Sequence, residues 1–371
     1  MKYIEKLLKG AEVKWMPLGE VAELKRGRVI SKEYLYENVG DYPVYSSQTV
    51  NNGEIGKINT FDFEQKAITW TTDGANAGTV FYRDGRFSIT NICGLITIKD
   101  TQILSYKYLY YWLSIEAKKH VYSGMGNPKL MSNQMGKVPI PIPPLAVQEE
   151  IVRILDKFTT LEAELEAELD CRKRQYEYYR NQLLSLDVII REQGLDKVEY
   201  KALSEVAEIR RGKRLVKSEL STSGNYAVYQ NSMIPLGYYS KSNVSAGTTF
   251  VISAGSAGEI GYSPNRFWAA DDVYYFIFND GVCSKYVYYF LLIKQQSIKR
   301  QVRRASVPRL SKAAFEKLKI PIPSLAEQQR IVSILDKFEA LTTSISEGLP
   351  KEIELRRKQY EYYRNQLLSF A

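Results

Sequence analysis

Several features typical of secreted or membrane proteins are scarce in this sequence. Three cysteines, Cys93, Cys171 and Cys283, lie far apart without a CxxC spacing, which argues against a disulfide framework or a cysteine zinc site. The longest apolar run, residues 286–293, is far shorter than the ~20 residues that a membrane helix needs. The opening MKYIEKLLKG interrupts its apolar residues with Glu and Lys, unlike a signal peptide. We therefore expect a soluble, cytoplasmic protein.

Sequence signatures of catalysis are also missing. The chain has no GxxxxGK[ST] phosphate loop, no GxGxxG after a strand, no NPPY-type methyltransferase motif and no carboxylate–lysine cluster of the nuclease type. The glycine-rich segments DGANAG (73–78) and AGSAG (254–258) lack a nucleotide-cradling spacing, so turns with positive φ are the favoured interpretation. His120 is the one histidine, which leaves no basis for a metal cluster or a Ser/His pair. We expect a binding or targeting subunit rather than an enzyme, without its own cofactor or metal.

The composition that remains is that of a basic globular protein of 371 residues. The formal net charge of +9 makes a polyanionic partner plausible, although charge alone does not separate DNA from RNA or a membrane surface. The 28 tyrosines outnumber the 13 phenylalanines, and tyrosine suits interfaces because it packs like a hydrophobe with a polar tip. A chain of this length is expected to form two or three domains.

The chain contains an internal repeat of about half its length. IPIPPLAVQEEIVRILDKF (140–158) matches IPIPSLAEQQRIVSILDKF (320–338), and LGEVAELKRG (18–27) matches LSEVAEIRRG (203–212). The eleven residues QYEYYRNQLLS occur identically at 175–185 and 359–369. A period this long predicts two duplicated domains rather than a solenoid of small repeats.

The ends of the chain fall at the same point of the repeat unit. Backward extension of the match pairs Met1 with Leu186, and the QYEYYRNQLLS segment pairs Phe370 with Leu186 as well. A closed arrangement with pseudo-twofold symmetry and neighbouring termini follows from this coincidence. A simple tandem of two separate domains remains the alternative.

Two long helices are predicted at 146–186 and 326–370. Apolar residues recur three or four positions apart in both segments, and ~41 residues at 1.5 Å each span roughly 60 Å. Such apolar seams favour an antiparallel pair of helices, although each helix could instead pack on its own domain. The second copy carries four extra residues, EGLP (347–350), and Pro350 lacks the amide that an inner turn requires. We predict a kink or short break there.

The globular segments are predicted to be mixed α/β domains. Strands are expected at 67–72, 87–98, 248–253 and 274–278, and short helices at 105–122 and 284–304. The predicted division of the chain is a globular domain (1–145), a spacer helix (146–186), a second globular domain (187–325) and a second spacer helix (326–371). The two spacer helices agree closely in sequence, whereas the two globular domains have diverged.

Basic and amide residues occur at matching places in both copies. KRGR (25–28) corresponds to RRGKR (210–214), and the glycine in each could let the backbone approach a phosphate. Asn and Gln in the polar turns suit adenine edges, while solvated surface charge is the simpler interpretation of any single cluster. The candidate DNA-binding residues are Lys25, Arg26, Arg28, Ser47, Gln48, Asn76, Lys129, Arg210, Arg211, Lys213, Arg214, Gln230, Asn231, Arg303, Arg304 and Arg309.

These motifs, in this order and present twice, resemble the DNA-specificity subunit of type I restriction–modification systems. The resemblance rests on LxEVAE[LI]xRG, P[KR]L and the IPIP segment, and it covers essentially the whole chain. It implies an α/β (α+β) fold with two target-recognition domains, separated by two long antiparallel helices. Each domain would read one half of a bipartite, asymmetric DNA sequence, and the helices would set the unread spacer.

The resemblance also implies partners. Double-stranded DNA, two copies of a modification (methyltransferase) subunit and restriction subunits are expected, with S-adenosylmethionine held by the modification subunit. Two identical partners need two equivalent docking surfaces, which would explain the invariant QYEYYRNQLLS segment. The candidate partner-binding residues are Gln175, Tyr176, Tyr179, Arg180, Gln359, Tyr360, Tyr363 and Arg364. The alternatives are a helical scaffold without DNA readout and a self-contained nuclease or methyltransferase.

Overall fold

The fold is described from a computed structural model, which covers residues 3–124, 126–185, 199–304, 306–344 and 347–370. Its contacts divide the chain into two compact units. Unit 1 comprises Met1–Glu164 and Glu354–Ala371, and unit 2 comprises Leu165–Ile353. Unit 1 thus contains segments from both ends of the chain, as the shared boundary of the repeat predicts.

Unit 1 is built from short helices and small sheets, with 3-10 turns at Val50–Gly53 and Ala117–His120. Its helices are α1 (Tyr3–Leu8), α2 (Leu18–Val21), α3 (Lys32–Glu37), α4 (Tyr106–Glu116) and α5 (Ser132–Met135). Its strands are β1 (Lys14–Pro17), β2 (Ala22–Arg26), β3 (Val39–Tyr45), β4 (Glu54–Ile58), β5 (Phe63–Glu64), β6 (Ala67–Thr71), β7 (Val80–Arg83), β8 (Arg86–Ile89), β9 (Cys93–Ile98) and β10 (Pro139–Ile142). The strand orders are β2-β9-β6-β7, β4-β3-β8-β5 and β1-β10.

The centre of unit 1 is β6, AITWT, in which every residue is buried. Continuous burial is typical of a strand covered on both faces, and β-branched and aromatic residues favour the extended backbone. Trp70 is fully buried, and its indole Nε1 donates to the carbonyl of Leu130 at 2.9 Å. Gly94 in the neighbouring strand faces this ring, because a Cβ there would lie 2.2 Å from the indole.

Unit 2 repeats this plan. Its helices are α7 (Leu203–Val206), α8 (Ser284–Lys299) and α9 (Ala313–Glu316), with a 3-10 turn at Lys217–Glu219. Its strands are β11 (Glu199–Ala202), β12 (Ala207–Arg211), β13 (Tyr226–Tyr229), β14 (Gly237–Tyr239), β15 (Thr248–Ile252), β16 (Ile260–Ser263), β17 (Phe267–Ala269), β18 (Val273–Phe278) and β19 (Lys319–Ile322). The strand orders β12-β18-β15-β16 and β11-β19 reproduce those of unit 1, and β14-β13-β17 corresponds to β4-β3-β8 without a described counterpart of β5. The two described units therefore share one α/β architecture, as the internal repeat predicts.

The predicted elements are largely present, with three differences in the globular parts. The strand expected at 87–98 is two strands, β8 and β9, because the turn at 90–92 interrupts it. The helix expected at 105–122 is the shorter α4 followed by the 3-10 turn, and α8 stops at Lys299.

The spacer helices are α6 (Leu145–Leu183), α10 (Leu325–Thr343) and α11 (Leu349–Leu367). The first agrees with the expected helix, whose predicted last residue, Leu186, lies outside the described residues. The second is divided into two separate helices, α10 and α11, and the predicted break near Pro350 is confirmed. Pro350 lies in the first turn of α11. A backbone amide there would have no carbonyl within the helix to donate to, so proline is tolerated at this position.

Within each unit, segments of the spacer helices pack antiparallel to each other. In unit 1, Phe158 stacks on Tyr363 with ring centroids 5.3 Å apart, and Glu162 pairs with Arg357 at 2.5 Å. Residue numbers therefore rise along α6 as they fall along α11. In unit 2, Phe338 stacks on Tyr179 at 5.4 Å, the equivalent contact. The predicted antiparallel pairing is confirmed in this form.

A buried glutamine connects the start of each spacer helix to its unit. Gln148 accepts from the Ser105 amide at 3.0 Å and donates to the carbonyls of Ile103 and Pro143 at 2.8 and 2.9 Å. Gln328 makes the same three contacts in unit 2, to Cys283, Gly281 and Pro323 at 2.8, 3.0 and 2.9 Å. The polar groups at each junction are thus satisfied in the interior.

Both ends of the described chain contribute to the core of unit 1. Ile4, Leu367 and Leu368 are buried in one hydrophobic cluster, and Phe370 packs against it. This agrees with the predicted closed arrangement, although Met1 and Ala371 themselves lie outside the described residues. Among the helices of the described ranges, none combines the length and apolar character needed to cross a bilayer.

Candidate nucleic-acid interface

The ends of several strands in unit 1 meet at one edge. Arg26 lies opposite Gly94, Thr71 opposite Cys93 and Tyr45 opposite Ile89 in the strand registers. The connecting turns are bonded together, because the Thr90 amide donates to Tyr45 and the Cys93 amide to Thr90, each at 2.9 Å. The residues that follow β2, β3, β6 and β8 therefore share one surface, which we name the strand-end surface of unit 1.

The segment around Lys129 belongs to the same surface. The Leu130 amide donates to Thr72 and the Gly74 amide to Pro128, each at 3.0 Å. Lys129 also exchanges backbone hydrogen bonds with Tyr122 at 2.8 and 3.0 Å. The structure thereby brings the predicted residues Lys129 and Asn76, both exposed, together with the loops after β2 and β3.

The basic residues at the end of β2 point to two different faces of the strand. Successive side chains of a strand point to opposite faces, so Lys25 and Arg26 diverge. Lys25 pairs with Glu23 at 3.2 Å, whereas Arg26 donates from Nη2 to the Thr72 hydroxyl at 2.8 Å. In unit 2, Arg210 likewise pairs with Glu208 at 2.7 Å. The basic residues that the sequence predicted to form one cluster therefore form two groups, on opposite faces of the strand.

In unit 2 the Ala270 amide donates to Tyr229 at 2.9 Å, and we name the equivalent surface at the ends of β12, β13, β15 and β17 the strand-end surface of unit 2. Arg26 and Arg28 reach the strand-end surface of unit 1, and Arg211, the counterpart of Arg26, reaches that of unit 2. Arg28 is bound by Asp62 at 3.1 Å and lies over the Tyr34 ring, 4.9 Å from its centroid. Burial is the largest single effect on the pKa of Arg28 and lowers it, but hydrogen bonds to Tyr34 and Asp62 leave that pKa above its ordinary value. Arg211 donates from Nε to the carbonyl of Asp271 at 2.5 Å.

The glycine within each basic motif packs against the adjacent strand end of its own unit. A Cβ on Gly27 would lie 2.0 Å from the carbonyl oxygen of Ile89, and one on Gly212 would lie 2.1 Å from that of Ala270. Separations this short are forbidden to any side chain. This packing accounts for a glycine in each motif, and the approach of its backbone to a phosphate stays a prediction.

The polar turns hold their amide residues in different ways. Ser47 and Gln48 are half-buried, and the Gln48 Nε2 donates to the carbonyl of Glu54. In unit 2, Gln230 is half-buried and Asn231 is exposed, while the Asn231 carbonyl accepts from the Ser256 amide at 2.9 Å. The Gln48 amide is thus engaged within its own loop.

Six of the predicted cations are exposed and have no side-chain partner within the part of the chain that the structure describes. They are Lys129, Lys213, Arg214, Arg303, Arg304 and Arg309. Arg303 and Arg309 lie directly opposite each other, with backbone hydrogen bonds of 2.9 and 3.1 Å. Like charges placed opposite each other are destabilising unless an anion lies between or beside them. A phosphate group of a nucleic acid bound beside Arg303 and Arg309 would offset the repulsion between them.

Exposed apolar residues on the same loops were missed by the sequence reasoning. Val50 is 77% exposed beside Gln48, Ile234 is 79% exposed beside Asn231, and Tyr122 is 64% exposed opposite Lys129. Apolar side chains in a nucleic-acid interface contact thymine methyl groups or base faces. For Val50, the available signal was a single apolar residue within the polar turn SSQTVNN (46–52).

The predicted partner-binding residues lie in the helix contacts of their own unit. Arg180 and Arg364 lie over the rings of Tyr176 and Tyr360, at 5.2 and 5.4 Å from the centroids. Burial, with a smaller contribution from Glu339, raises the pKa of Tyr176 to about 12. Gln175 and Gln359 accept from arginines one turn earlier, at 2.8 and 3.0 Å.

The most exposed ring in each QYEYYRNQLLS segment is the middle tyrosine of its YEYY run. Tyr178 is 60% exposed and Tyr362 is 61% exposed, compared with 44% for Tyr179 and 37% for Tyr363. Neighbours three apart share a helix face, so the first and last tyrosines turn inward together and the middle one turns out. Tyr178 and Tyr362 were not among the predicted residues.

The comparisons with known proteins agree with each other. A family model described as the type I restriction modification DNA specificity domain matches twice, at residues 11–170 and 196–355. The Escherichia coli type I restriction enzyme EcoR124I/EcoR124II specificity subunit is 34% identical, over all of this chain and 97% of its own. A Mycoplasma pneumoniae protein described as a type I specificity subunit is 31% identical over 97% of this chain and 98% of its own. The crystal structure of a type I restriction–modification S subunit from M. genitalium has the same fold, with a TM-score of 0.67, 20% identity and 98% of both chains covered.

Proposed function

Because the chain belongs to the type I restriction–modification DNA-specificity family, we propose that it recognises a bipartite, asymmetric sequence in duplex DNA. Each unit would read one half-site through its strand-end surface. The chain itself would carry out no catalysis and would direct the enzymatic subunits to the target.

The observation that carries this proposal is the repeated placement, on one scaffold, of cations that have no side-chain partner among the described residues. Lys129 in unit 1 and Arg309 in unit 2 occupy the same position, each in a backbone bridge to the segment that follows β6 or β15. Cations without an internal partner are free to neutralise phosphates. The loops beside them differ in sequence and length, so the two units would contact different bases.

The partners follow from the family and from the repeated helix segment. Two copies of a modification subunit would each bind one QYEYYRNQLLS segment, with Tyr178 and Tyr362 as exposed anchors, and restriction subunits would join them. The modification subunit would hold S-adenosylmethionine, and this chain would contribute position rather than a chemical step. Such an assembly would act on genomic DNA in the cytoplasm.

Mapping of adenine methylation in genomic DNA tests the proposed function directly. Cells with this gene and its modification partner should carry methylation at a sequence with two specified halves and an unspecified spacer. Cells lacking only this gene should lose that methylation. An unchanged methylation map would refute the proposal.

The phosphate contacts are tested by the salt dependence of DNA binding. Replacement of both Lys129 and Arg309 by Gln should reduce the slope of log K against log salt by about 2, because each phosphate contact contributes roughly 0.9. The measurement is an electrophoretic shift with the assembled complex at several salt concentrations.

The matched control for this experiment is the pair Lys25→Gln and Arg210→Gln. These residues point to the opposite strand face and are paired with glutamates, so their replacement should leave the slope unchanged. A slope that falls equally in both double variants would show that the strand-end surfaces are not the phosphate contacts.

A further inference from the structure

One arginine of unit 1 is buried and has no carboxylate partner among the residues that the structure describes. Arg83, at the end of β7, is 3% exposed. Its Nε donates to the Thr69 hydroxyl at 3.0 Å and its Nη2 to the carbonyl of Asn52 at 2.8 Å. Its Nη1 is buried and has no hydrogen-bond partner among the described residues.

Two aromatic rings enclose the guanidinium. Its central carbon lies 3.5 Å from the centroid of Tyr45 and 4.7 Å from that of Phe81. Burial lowers the pKa of Arg83, and Tyr45 is the largest opposing influence. An arginine stays charged in a protein, so this charge is stabilised by ring faces and neutral acceptors rather than by an ion pair. Such a placement is costly for a residue that only fills space.

Arg83 holds the loop between β3 and β4, which comprises residues 46–53. Asn51 and Asn52 in this loop adopt left-handed conformations with φ of 50° and 53°. Non-glycine residues rarely adopt this conformation unless their surroundings impose it. The carbonyl of Asn52 is the acceptor of the Arg83 bond, and the Ser46 amide donates to Gly53 at 2.9 Å to close the loop.

Unit 2 supports the equivalent loop with different chemistry. The strand registers place Ser263 where unit 1 has Arg83, and Phe250 where unit 1 has Thr69. Tyr229 packs there on Phe250, with ring centroids 5.0 Å apart, and Met233 of the equivalent loop packs against the same cluster. An arginine at this position is therefore no requirement of the shared scaffold, and belongs to the loop of unit 1.

We propose that Arg83 is a positioning residue for sequence recognition, which holds the 46–53 loop in the conformation that discriminates bases at the half-site read by unit 1. This inference rests on the proposed function. Arg83 itself is buried and touches no DNA; it acts through the exposed residues of the loop, which include Asn51 and Val50. Base discrimination at the half-site of unit 2 is independent of it.

The main test compares Arg83→Met with Ser263→Ala in the complex of the full chain with its modification subunit. Methionine retains the packing between the rings and removes every donor. For Arg83→Met, the ratio of affinities for the cognate and singly substituted first half-site should fall by about tenfold, the order of one base mismatch. The corresponding ratio of affinities for the second half-site should stay the same. The slope of log K against log salt should also stay the same. Arg83→Lys should restore part of the loss.

Ser263→Ala should leave both ratios unchanged. A folded Arg83→Met complex with undiminished discrimination at the first half-site would overturn the proposal, and so would an equal loss at both half-sites.

A second pair of variants avoids the buried core. Asn52 is exposed, and glycine adopts its left-handed conformation freely, whereas the β-branched valine does not. Asn52→Val should therefore reproduce the loss of discrimination caused by Arg83→Met, and Asn52→Gly should not. Equal behaviour of the two Asn52 variants would contradict the role of the loop conformation.

Hydrogen exchange of the Ser46 amide separates this inference from the proposed function, because it needs no DNA. Arg83→Met should accelerate this exchange at least about tenfold, while amides of β6 remain protected. Unchanged exchange at Ser46 would refute the positioning role even if the wild-type complex binds its target. Faster exchange together with a wild-type complex that shows no sequence preference would instead refute the proposed function.

Discussion

At the scale of single residues, the two units are held by polar groups that the sequence pattern alone does not place in the interior. Gln148 and Gln328 are fully buried, although glutamine is mostly a surface residue. Each satisfies one amide and two carbonyls at the junction between a globular part and a spacer helix. Their position in the repeated IPIP segment explains why that segment is so alike in both halves.

Replacement of Gln148 by leucine should destabilise unit 1 by about 2–5 kcal/mol, because it leaves the Ser105 amide and two carbonyls buried without partners. Thermal or urea unfolding measures the change. Gln182→Leu is the control, since Gln182 is exposed on the same helix and should change stability by less than about 0.5 kcal/mol. A similar small effect for both variants would contradict the anchoring role.

At the scale of elements, one difference between the two repeats is the break between α10 and α11. Gly348 in this break has a φ of +81°, and a Cβ on it would lie 2.5 Å from the carbonyl oxygen of Ala340. The four additional residues are thus accommodated as a turn that interrupts the helix. Apolar spacing survives an insertion of four residues, so Pro350 rather than the periodicity indicated the break.

Gly348→Ala should be more destabilising than Gly281→Ala, although both glycines have a positive φ. Gly281 has a φ of +86° and open space where a Cβ would lie, so its replacement should cost about 1–2 kcal/mol from the backbone conformation alone. Gly348→Ala adds a backbone clash. Unfolding of the two variants under identical conditions gives the comparison, and equal losses would show that the break is loosely packed.

Many of the helices and strands could be predicted because they follow from the local sequence pattern. The side-chain directions and the buried polar residues depend on tertiary packing. Apolar periodicity gave α6, and the repeat gave the common architecture. The opposite directions of Lys25 and Arg26 follow from strand alternation, but the motif was treated as one cluster because its strand had not been identified. The buried Arg83 left no sequence signal, since only the folded structure places two rings around it.

At the scale of the whole molecule, the core of unit 1 is completed by a segment distant in sequence. Leu367 and Leu368 are buried in the same cluster as Ile4, Trp70 and Ile151. The position of the repeat boundaries predicted this closure. The globular segments 1–145 and 187–325, as boundaries of the target-recognition domains, stay a prediction.

Leu367→Ala should destabilise unit 1 by about 2–5 kcal/mol, the usual cost of a Leu→Ala cavity in a core. Hydrogen exchange measured by mass spectrometry should show faster exchange in β6 of unit 1 and unchanged exchange in β15 of unit 2. Leu355→Ala is the control on the same helix, because Leu355 is 48% exposed. Equal acceleration in both units would indicate that they do not fold as separate cores.

Because Ile4 and Leu367 belong to one core, the core of unit 1 cannot be completed until the end of the chain has been synthesised. Residues 354–371 emerge about 190 residues after residue 164, a delay of roughly 10–40 s at bacterial elongation rates. All of unit 2 is synthesised within this interval, while the first-made part of unit 1 still lacks its closing helix. Unit 1 therefore receives Leu367 and Leu368 only after all of unit 2 has been synthesised, so the unit encoded later can complete its core first.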